Sequence, residues 1–209
     1  MSAHRLDPIE LRVLGCLIEK QRTTPEQYPL TLNSLRLACN QATNRDPVME
    51  LEESEVRAAA QSLGVKGYAR LATGPGSRTA KYRQLFQEAL DLLPSEVSLL
   101  AVLMLRGPQT VAELKTRADR MHHFSDNAEV EATLRRLDEN ELVHNIGKGP
   151  GQSAERWQHL IAEGPTQDAE AVEEAVAAGE PTSLERRLAQ VEQRLDELER
   201  ELAQRGVLD

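Results

Sequence analysis

The residues with the clearest chemical potential are basic and amide side chains between positions 57 and 83. Arg57 and Gln61 lie on the outward side of a predicted helix, and a predicted β-hairpin rich in basic residues follows it. Arginine and glutamine can hydrogen-bond to guanine and adenine edges, and basic side chains on a hairpin can pair with phosphates. The seven candidate DNA-binding residues are Arg57, Gln61, Lys66, Arg70, Arg78, Lys81 and Arg83. The alternative is that they form an ordinary solvated surface.

Acidic residues weigh against a strong nucleic-acid binder. Four glutamates stand at the start of the same predicted helix, where they favour its dipole but would repel phosphate: Glu50, Glu52, Glu53 and Glu55. The net charge of the chain is −9, and residues 165–209 hold 5 basic and 12 acidic side chains. Residues 1–89 hold 12 basic and 10 acidic side chains, which is a weak electrostatic attraction for DNA.

Other chemistries find little support. His122 and His123 are adjacent, and two further histidines can meet across a second predicted hairpin, but no cysteine or carboxylate stands at a spacing typical of zinc sites. The glycine turns lead into strands and lack the Gly-Lys-Ser/Thr ending of a phosphate-binding loop. No nucleophile motif has an identifiable base partner. We therefore expect no enzyme, no catalytic residue, no metal and no cofactor.

The composition predicts a cytoplasmic protein with helical, aliphatic cores. Apolar residues make up 40% of the chain but aromatic residues only 3%, so aliphatic side chains must fill the cores. No apolar run approaches the ~20 residues that span a bilayer, and no apolar segment of a signal peptide follows residues 1–5. Cys16 and Cys39 fall inside helical patterns, which favours reduced thiols over a disulfide or redox pair.

The first half of the chain predicts three helices followed by a β-hairpin. Asp7, Pro8 and Glu10 form a helix start that resembles a capping box, and apolar residues continue this helix to about Gln21. The further predicted elements are helices over Leu32–Cys39 and Ser54–Leu63, and strands over Tyr68–Ala72 and Ala80–Arg83 around a Gly/Pro turn. On the second strand, Lys81 and Arg83 face opposite to Ala80 and Tyr82.

The second half repeats this order of elements. The predicted elements are a helix over Pro94–Arg106, a helix from a Thr110 capping box through Met121, a helix capped by Asp126 with Glu129, and strands over Leu142–Ile146 and Glu155–Gln158. Four pairs match across the halves: Glu10 with Glu96, Thr31 with Thr110, Val56 with Val130, and Tyr82 with Trp157. The offset changes in the loops and holds at 74–75 from the third helix through the hairpin, as a duplication predicts.

This repeated order predicts a mainly α fold with small β-hairpins. In this fold two tandem winged-helix domains, a variant of the helix-turn-helix, precede a C-terminal coiled-coil helix. The predicted bounds are 1–89 for the first winged-helix domain, 90–164 for the second, 165–181 for an acidic linker and 182–206 for the coiled-coil helix. Because one fold hosts unrelated functions, this order alone does not establish DNA binding.

The C-terminal helix carries a heptad seam. Its apolar residues alternate spacings of four and three: Leu184, Leu188, Val191, Leu195, Leu198 and Leu202. In a parallel dimer, arginines at g positions would face glutamates at e positions of the partner, at about 0.3–0.5 kcal/mol per pair. The seam therefore predicts a parallel homodimer, and the alternative is a helix that folds back on its own chain.

Long motifs in both halves resemble a known family. In the first half they are Thr23-Thr24-Pro25-Glu26-Gln27-Tyr28-Pro29-Leu30-Thr31, Ala38-Cys39-Asn40-Gln41 and Asn44-Arg45-Asp46-Pro47-Val48-Met49. In the second half they are Arg106-Gly107-Pro108-Gln109-Thr110, Glu113-Leu114, Arg120-Met121, Phe124-Ser125-Asp126 and Glu129-Val130-Glu131. Over about residues 6–161 the chain resembles the YceH-like family of uncharacterised bacterial proteins. The resemblance implies tandem winged-helix domains and no established activity.

Two polar loops, residues 21–30 and 41–49, are insertions relative to the second half. Their Pro, Asn and Asp residues suit defined turns. In a structural interpretation Tyr28 and Met49 anchor the loops on the core, and Arg45 pairs locally with Asp46. In a functional interpretation the loops form a surface for a partner or a ligand.

These patterns together predict a non-enzymatic, dimeric transcriptional regulator that binds DNA mainly through the first winged-helix domain. The alternative is an adaptor without DNA binding, in which the winged helices dock an unknown protein partner, and the acidic balance fits that alternative better. The wing of the second domain holds Ser153, Arg156 and Gln158 at the matching positions. We therefore expect the second domain to pack on a neighbouring domain or on a protein partner.

Overall fold

A computed structural model describes residues 5–72, 80–149 and 154–162. Within these residues the protein is mainly helical with small antiparallel sheets, as predicted. The helices are α1 (Pro8–Thr23), α2 (Leu32–Cys39), α3 (Glu53–Val65), α4 (Phe86–Ala89), α5 (Pro94–Arg106), α6 (Val111–Ala118) and α7 (Asn127–Glu139), with a 3₁₀ turn at Pro25–Gln27. The strands are β1 (Leu30–Thr31), β2 (Ala69–Ala72), β3 (Lys81–Gln84), β4 (Val143–Gly147) and β5 (Arg156–His159).

The helix starts lie where the capping signals predicted them. The Asp7 side chain accepts hydrogen bonds from the backbone of Ile9 and Glu10, at 2.8 Å each, and Pro8 occupies the first helical position. Thr110 and Asp126 cap α6 and α7 in the same way. Helix ends were predicted less well: α1 continues to Thr23 rather than Gln21, and α6 ends at Ala118 rather than Met121.

The first half contains a three-stranded sheet in the order β1-β3-β2. Strand β1 was not predicted, because two residues are too short to show alternation of apolar and polar side chains. It pairs with β3, with Leu30 opposite Tyr82, and the Tyr28 hydroxyl accepts a hydrogen bond of 2.6 Å from the backbone of Gln84. The 21–30 loop is thereby held against the hairpin, as its structural interpretation expected.

Residues matched by the internal repeat occupy equivalent places. Leu30 lies opposite Tyr82 in the first half, and Gln109 forms the corresponding antiparallel bridge to Trp157 in the second. Tyr82 and Trp157 are both buried, as are Val56 and Val130 on α3 and α7. The two halves therefore share an order of helices and hairpin strands with buried residues at these matched positions, although the first half has a three-stranded sheet and the second a two-stranded one.

Helices α1 and α5, which begin the two halves, pack against each other at the centre of the molecule. Ten consecutive residues of α5, Glu96–Leu105, are buried, because this helix serves both the core of its own half and the contact with α1. At Gly15 the two helices approach so closely that a Cβ atom would lie 2.8 Å from Cγ of Leu105. The described residues belong to one compact unit, Met1–Glu163.

Arg12 and Arg45 anchor the 41–49 loop, and the expected local pair of Arg45 with Asp46 is wrong. The buried Arg45 guanidinium instead makes two hydrogen bonds to the Glu19 carboxylate on α1, at 2.6 and 3.2 Å. Arg12 donates to the carbonyls of Cys39 and Pro47, and the Asp46 backbone donates to the Leu105 carbonyl. Glu19, rather than Asp46, is the partner of Arg45 because the 41–49 loop folds back over α1.

The predicted linker and coiled-coil helix, residues 165–181 and 182–206, lie outside the described residues. The six seam residues and the Gly/Pro turn with Arg78 lie outside them as well. Among the residues that are described, none of the helices combines the length and the apolar character needed to span a bilayer. The division of the chain at residues 89 and 90 stays a prediction.

Candidate nucleic-acid interface

Three of the seven candidate residues lie on one face of the β2–β3 hairpin. Strand register places Arg70 opposite Arg83 and Ala72 opposite Lys81, so Arg70, Lys81 and Arg83 share a face. Tyr82 and Ala69 point the other way, into the core. We call Arg70, Lys81 and Arg83 the hairpin face. The sequence alternation had indicated two of its members, and the register adds Arg70.

The members of the hairpin face differ in their partners. Arg83 forms an ion pair with Glu88 of α4, with Nη2 at 2.6 Å from Oε1. The side chains of Arg70 and Lys81 make no hydrogen bond or ion pair with any residue that the structure describes. These two cations are therefore available to an external anion without breaking an internal contact.

Helix α3 carries Arg57 and Gln61 on its exposed side, as predicted. The Arg57 guanidinium forms an ion pair of 2.6 Å with Glu53, one helical turn earlier, and both side chains are about half exposed, at 52% each. An exposed pair of this kind contributes little to stability, but it places a carboxylate beside Arg57, one of the candidate DNA-binding residues. The acidic start of α3 thus repels phosphate next to Arg57.

Lys66 has a structural role at the end of α3. Its ammonium lies 2.7 Å from Oε2 of the buried Glu10 and 3.0 Å from the Arg5 carbonyl. Burial alone would raise the pKa of Glu10, but hydrogen bonds from Lys66, Ser62 and the Asp7 backbone lower it below its usual value. Lys66 therefore connects the end of α3 to the start of α1, away from the hairpin face.

Three basic side chains of the second half, on β5 and α7, are paired with neighbouring groups. Arg156 on β5 bonds to the Pro108 carbonyl at 2.9 Å and to Glu113 at 3.3 Å. On α7, Arg135 pairs with Glu131, and Arg136 reaches the buried Glu96 at 3.1 Å. Each of these three basic side chains is paired with a carboxylate, and the weaker role of the second half in DNA binding stays a prediction.

The histidines and cysteines remain separate from the hairpin face. In residues 5–72, 80–149 and 154–162, no group of three or more His, Cys, Asp or Glu side chains is placed to hold a metal ion. Cys16 and Cys39 are buried, unbridged neighbours, and the Cys39 thiol interacts with Cys16 by a hydrogen bond. His159 is buried on β5, and its Nδ1 has no hydrogen-bond partner in the part of the chain that the structure describes.

The fold and this surface define a mainly helical protein with a repeated helix–hairpin unit and one basic hairpin face. The chain belongs to the family described as "Protein of unknown function, DUF480", whose model matches residues 6–152. That match extends through both halves and confirms the expected membership in a family of uncharacterised bacterial proteins.

Relatives in several bacteria are similar over the same region. The chain is 53% identical over 157 residues to a UPF0502 protein of Geobacter sulfurreducens, covering 74% of this chain and 71% of that protein. The figures are the same for a UPF0502 protein of Pelobacter propionicus. A UPF0502 protein of Pectobacterium carotovorum is 46% identical over 164 residues, covering 75% of this chain and 78% of its own.

Proposed function

We propose that the protein is a non-enzymatic, cytoplasmic DNA-binding regulator built from two winged-helix units. The order α1-β1-α2-α3-β2-β3 in the first half is that of a winged helix, and the second half repeats it with a single bridge in place of β1. In this class of fold the third helix approaches the major groove and the hairpin contacts the backbone.

The hairpin face is the observation that carries this proposal. It presents three cations on one side of a short two-stranded ribbon, and the side chains of two of them have no partner within the described residues. Such a surface suits contact with phosphates, which supplies affinity but no sequence information. Sequence would be read by Arg57 and Gln61, with Arg57 first leaving Glu53.

Dimerisation compensates for the small number of contacts in each chain. The predicted seam of Leu184, Leu188, Val191, Leu195, Leu198 and Leu202 would join two chains in parallel. Two weak sites on one dimer then act at a high effective concentration and bind DNA more tightly than either alone.

The decisive experiment measures binding of labelled genomic DNA fragments across a salt series. We expect log K to fall linearly with log salt, with a slope near 0.9 per phosphate contact. The double substitution Arg70→Gln and Lys81→Gln should reduce that slope by about two. Arg83→Ala should have a smaller effect because Arg83 already pairs with Glu88.

The control exchanges one lysine and one arginine of the second half, Lys115→Gln and Arg135→Gln, and should leave the slope unchanged. Absence of any salt-dependent binding by the native chain would refute DNA binding. Binding that survives the double substitution intact would remove the hairpin face from the interface.

A protein-docking adaptor is the second candidate, and the surface of α3 favours it. Glu52, Glu53 and Glu55 make the start of this helix acidic, and Val65 at its end is 91% exposed. An acidic surface with an exposed apolar residue suits a protein partner better than a phosphate backbone. An adaptor would show no DNA binding, and a Val65→Asp substitution would abolish capture of its partner.

The dimer is tested separately by sedimentation. A chain ending at Gly179 lacks the predicted seam and should sediment as a monomer, while the full chain sediments as a dimer. The same mass for both chains would refute the coiled coil and leave the hairpin face untouched.

A further inference from the structure

A basic cleft lies on the side of the molecule where the two halves meet. It consists of two adjoining cavities of about 310 Å³ each, which share Glu19, Thr23, Asn44 and Arg120. Its walls come from the end of α1, the 41–49 loop, the end of α5 and the end of α6. No residue of the hairpin face lines it.

Three arginines converge on the first cavity: Arg106, Arg117 and Arg120. Arg120 makes no hydrogen bond or ion pair with any described residue. The side chain of Arg106 donates to a neutral acceptor, Oδ1 of Asn44, at 2.9 Å. Burial, together with the like charges of Arg117 and Arg45, lowers the pKa of Arg106 below its usual value, and the carboxylates of Glu113 and Asp46 offset this only in part. The cavity therefore concentrates positive charge that an anion would relieve.

The carboxylate in the wall does not neutralise these arginines. Both oxygens of Glu19 are bonded to the buried Arg45, at 2.6 and 3.2 Å. Glu113, the partner of Arg117 at 3.3 Å, is shared with Arg156 at the same distance. Among the described residues, Arg106 and Arg120 have no carboxylate partner. Basic residues near helix ends also complement the helix dipole, but that role does not require a cavity among them.

Motifs that the proposed function leaves unused supply the walls of this cleft. Thr23, Asn44, Arg106 and Arg120 all belong to the motifs that carry the family resemblance. Asn44 lies in the 41–49 loop, which the second half lacks and which Arg45 holds down on α1. The inserted loop thus forms part of the wall of the cleft.

We propose that this cleft binds a small phosphate-bearing anion. The planar guanidinium groups match phosphate oxygens in pairs, and Arg120 can turn toward a ligand without losing a contact. Val102, Leu105 and Met121 line the same cavity and offer an apolar wall to a short organic group. The proposal does not rest on DNA binding, because the ligand site and the hairpin face share no residue.

Pyrophosphate is the probe, titrated into the full chain by calorimetry in metal-free buffer of low ionic strength without DNA. We expect saturable binding by the native chain and at least tenfold weaker binding by Arg120→Gln. That variant removes an exposed side chain with no partner, so it should fold normally, which far-UV circular dichroism checks.

The matched control is Arg135→Gln, an exposed arginine on α7 outside the cleft, and it should bind pyrophosphate like the native chain. Heat no greater than that from sodium chloride at equal ionic strength would overturn the proposal. Equal binding by Arg120→Gln, or equal weakening by both variants, would overturn it too, because the anion would then bind elsewhere. DNA binding is measured independently, so failure of one proposal is distinguishable from failure of the other.

Discussion

At the scale of single residues, His159 shows how the interior of the second half controls a titratable group. Its side chain is buried on β5, and Nδ1 has no hydrogen-bond partner among the described residues. Burial penalises the charged imidazolium and lowers the pKa of His159 from 6.5 to about 4. The matching position of the first half, 75 residues earlier, holds Gln84, which is also buried but does not titrate.

We predict that His159 makes the protein less stable as the pH falls below 6.5. The unfolded chain takes up a proton at His159 near pH 6.5, whereas the folded protein does so only near pH 4. Protonation therefore favours the unfolded chain between these values. The free energy of unfolding should fall by about 1.4 kcal/mol per pH unit in this window. Urea unfolding at pH 7.0, 6.5 and 5.5 measures this fall in the free energy of unfolding, at pH values above those at which most carboxylates titrate.

His159→Gln, which copies the first half, should remove most of this pH dependence. The exposed His123 is the control, because replacing it by glutamine leaves the buried imidazole in place. An unchanged slope in the His159 variant would show that burial does not set the protonation of this residue.

At the scale of elements, the approach of α1 to α5 depends on the absence of a side chain at Gly15. A Cβ atom there would lie 2.8 and 2.9 Å from the Leu105 side chain and 3.4 Å from Cβ of Met104. Gly64, near the end of α3, is a contrasting helical glycine, since a Cβ atom there would lie 3.7 Å from the Ala69 carbonyl oxygen, in ordinary van der Waals contact. Helix propensity favours alanine over glycine at both positions, so only the packing around each glycine distinguishes the expected effects of alanine.

We predict opposite effects of alanine at these two glycines. Gly15→Ala should destabilise the protein by about 1–2 kcal/mol, because overpacking outweighs the gain in helix propensity. Gly64→Ala should be neutral or stabilise it by up to about 1 kcal/mol. Urea unfolding followed by far-UV circular dichroism compares them. Equal stabilisation by both substitutions would contradict the close packing of α1 on α5.

At the scale of the whole molecule, several contacts join the two halves, and three of them involve helix packing or backbone hydrogen bonds. The first is the packing of α1 on α5, and the second is the hydrogen bond of 2.7 Å from the Leu6 backbone to the Ile161 carbonyl. The third is the bond of 2.8 Å from the Asp46 backbone to the Leu105 carbonyl. Each contact connects the first half with the second, so neither half keeps its buried surface when the other unfolds.

We predict a single cooperative unfolding transition for both halves, and the chain contains a natural probe for each. Its one tryptophan, Trp157, lies in the second half, and all three tyrosines, Tyr28, Tyr68 and Tyr82, lie in the first. Tryptophan fluorescence and the near-UV tyrosine signal should give the same urea midpoint. Separate midpoints would show that the halves are independent domains despite their shared core.

Local features of this protein were open to prediction from the sequence. Asp7, Thr110 and Asp126 mark helix starts because capping bonds form within three residues. Val56, Ala60 and Leu63 recur at helical spacing in the sequence, and all three are buried on one side of α3. The alternation of side chains along β3 likewise placed Lys81 and Arg83 on one face, because every second residue of a strand points to the same side.

Contacts between distant residues needed the tertiary structure. The addition of Arg70 to the hairpin face depends on strand register, and the pairing of Lys66 with Glu10 joins residues 56 positions apart. Side-chain charge is visible in a sequence, but the partner that neutralises it is not. The structure therefore divides the candidate residues by their partners. The side chains of Arg57, Lys66 and Arg83 form ion pairs. Those of Arg70 and Lys81 form none with the described residues.

By itself, the sequence indicated six of the seven described helices (all but the short α4), the hairpin strands and the repeated order of elements, because each depends on residues close in the chain or on a repeated spacing. Only the tertiary structure decided the packing of α1 on α5, the partner of Arg45 and the basic cleft. These depend on side chains that meet across the molecule, where shape complementarity and charge pairing select the neighbour, and no local pattern encodes that choice.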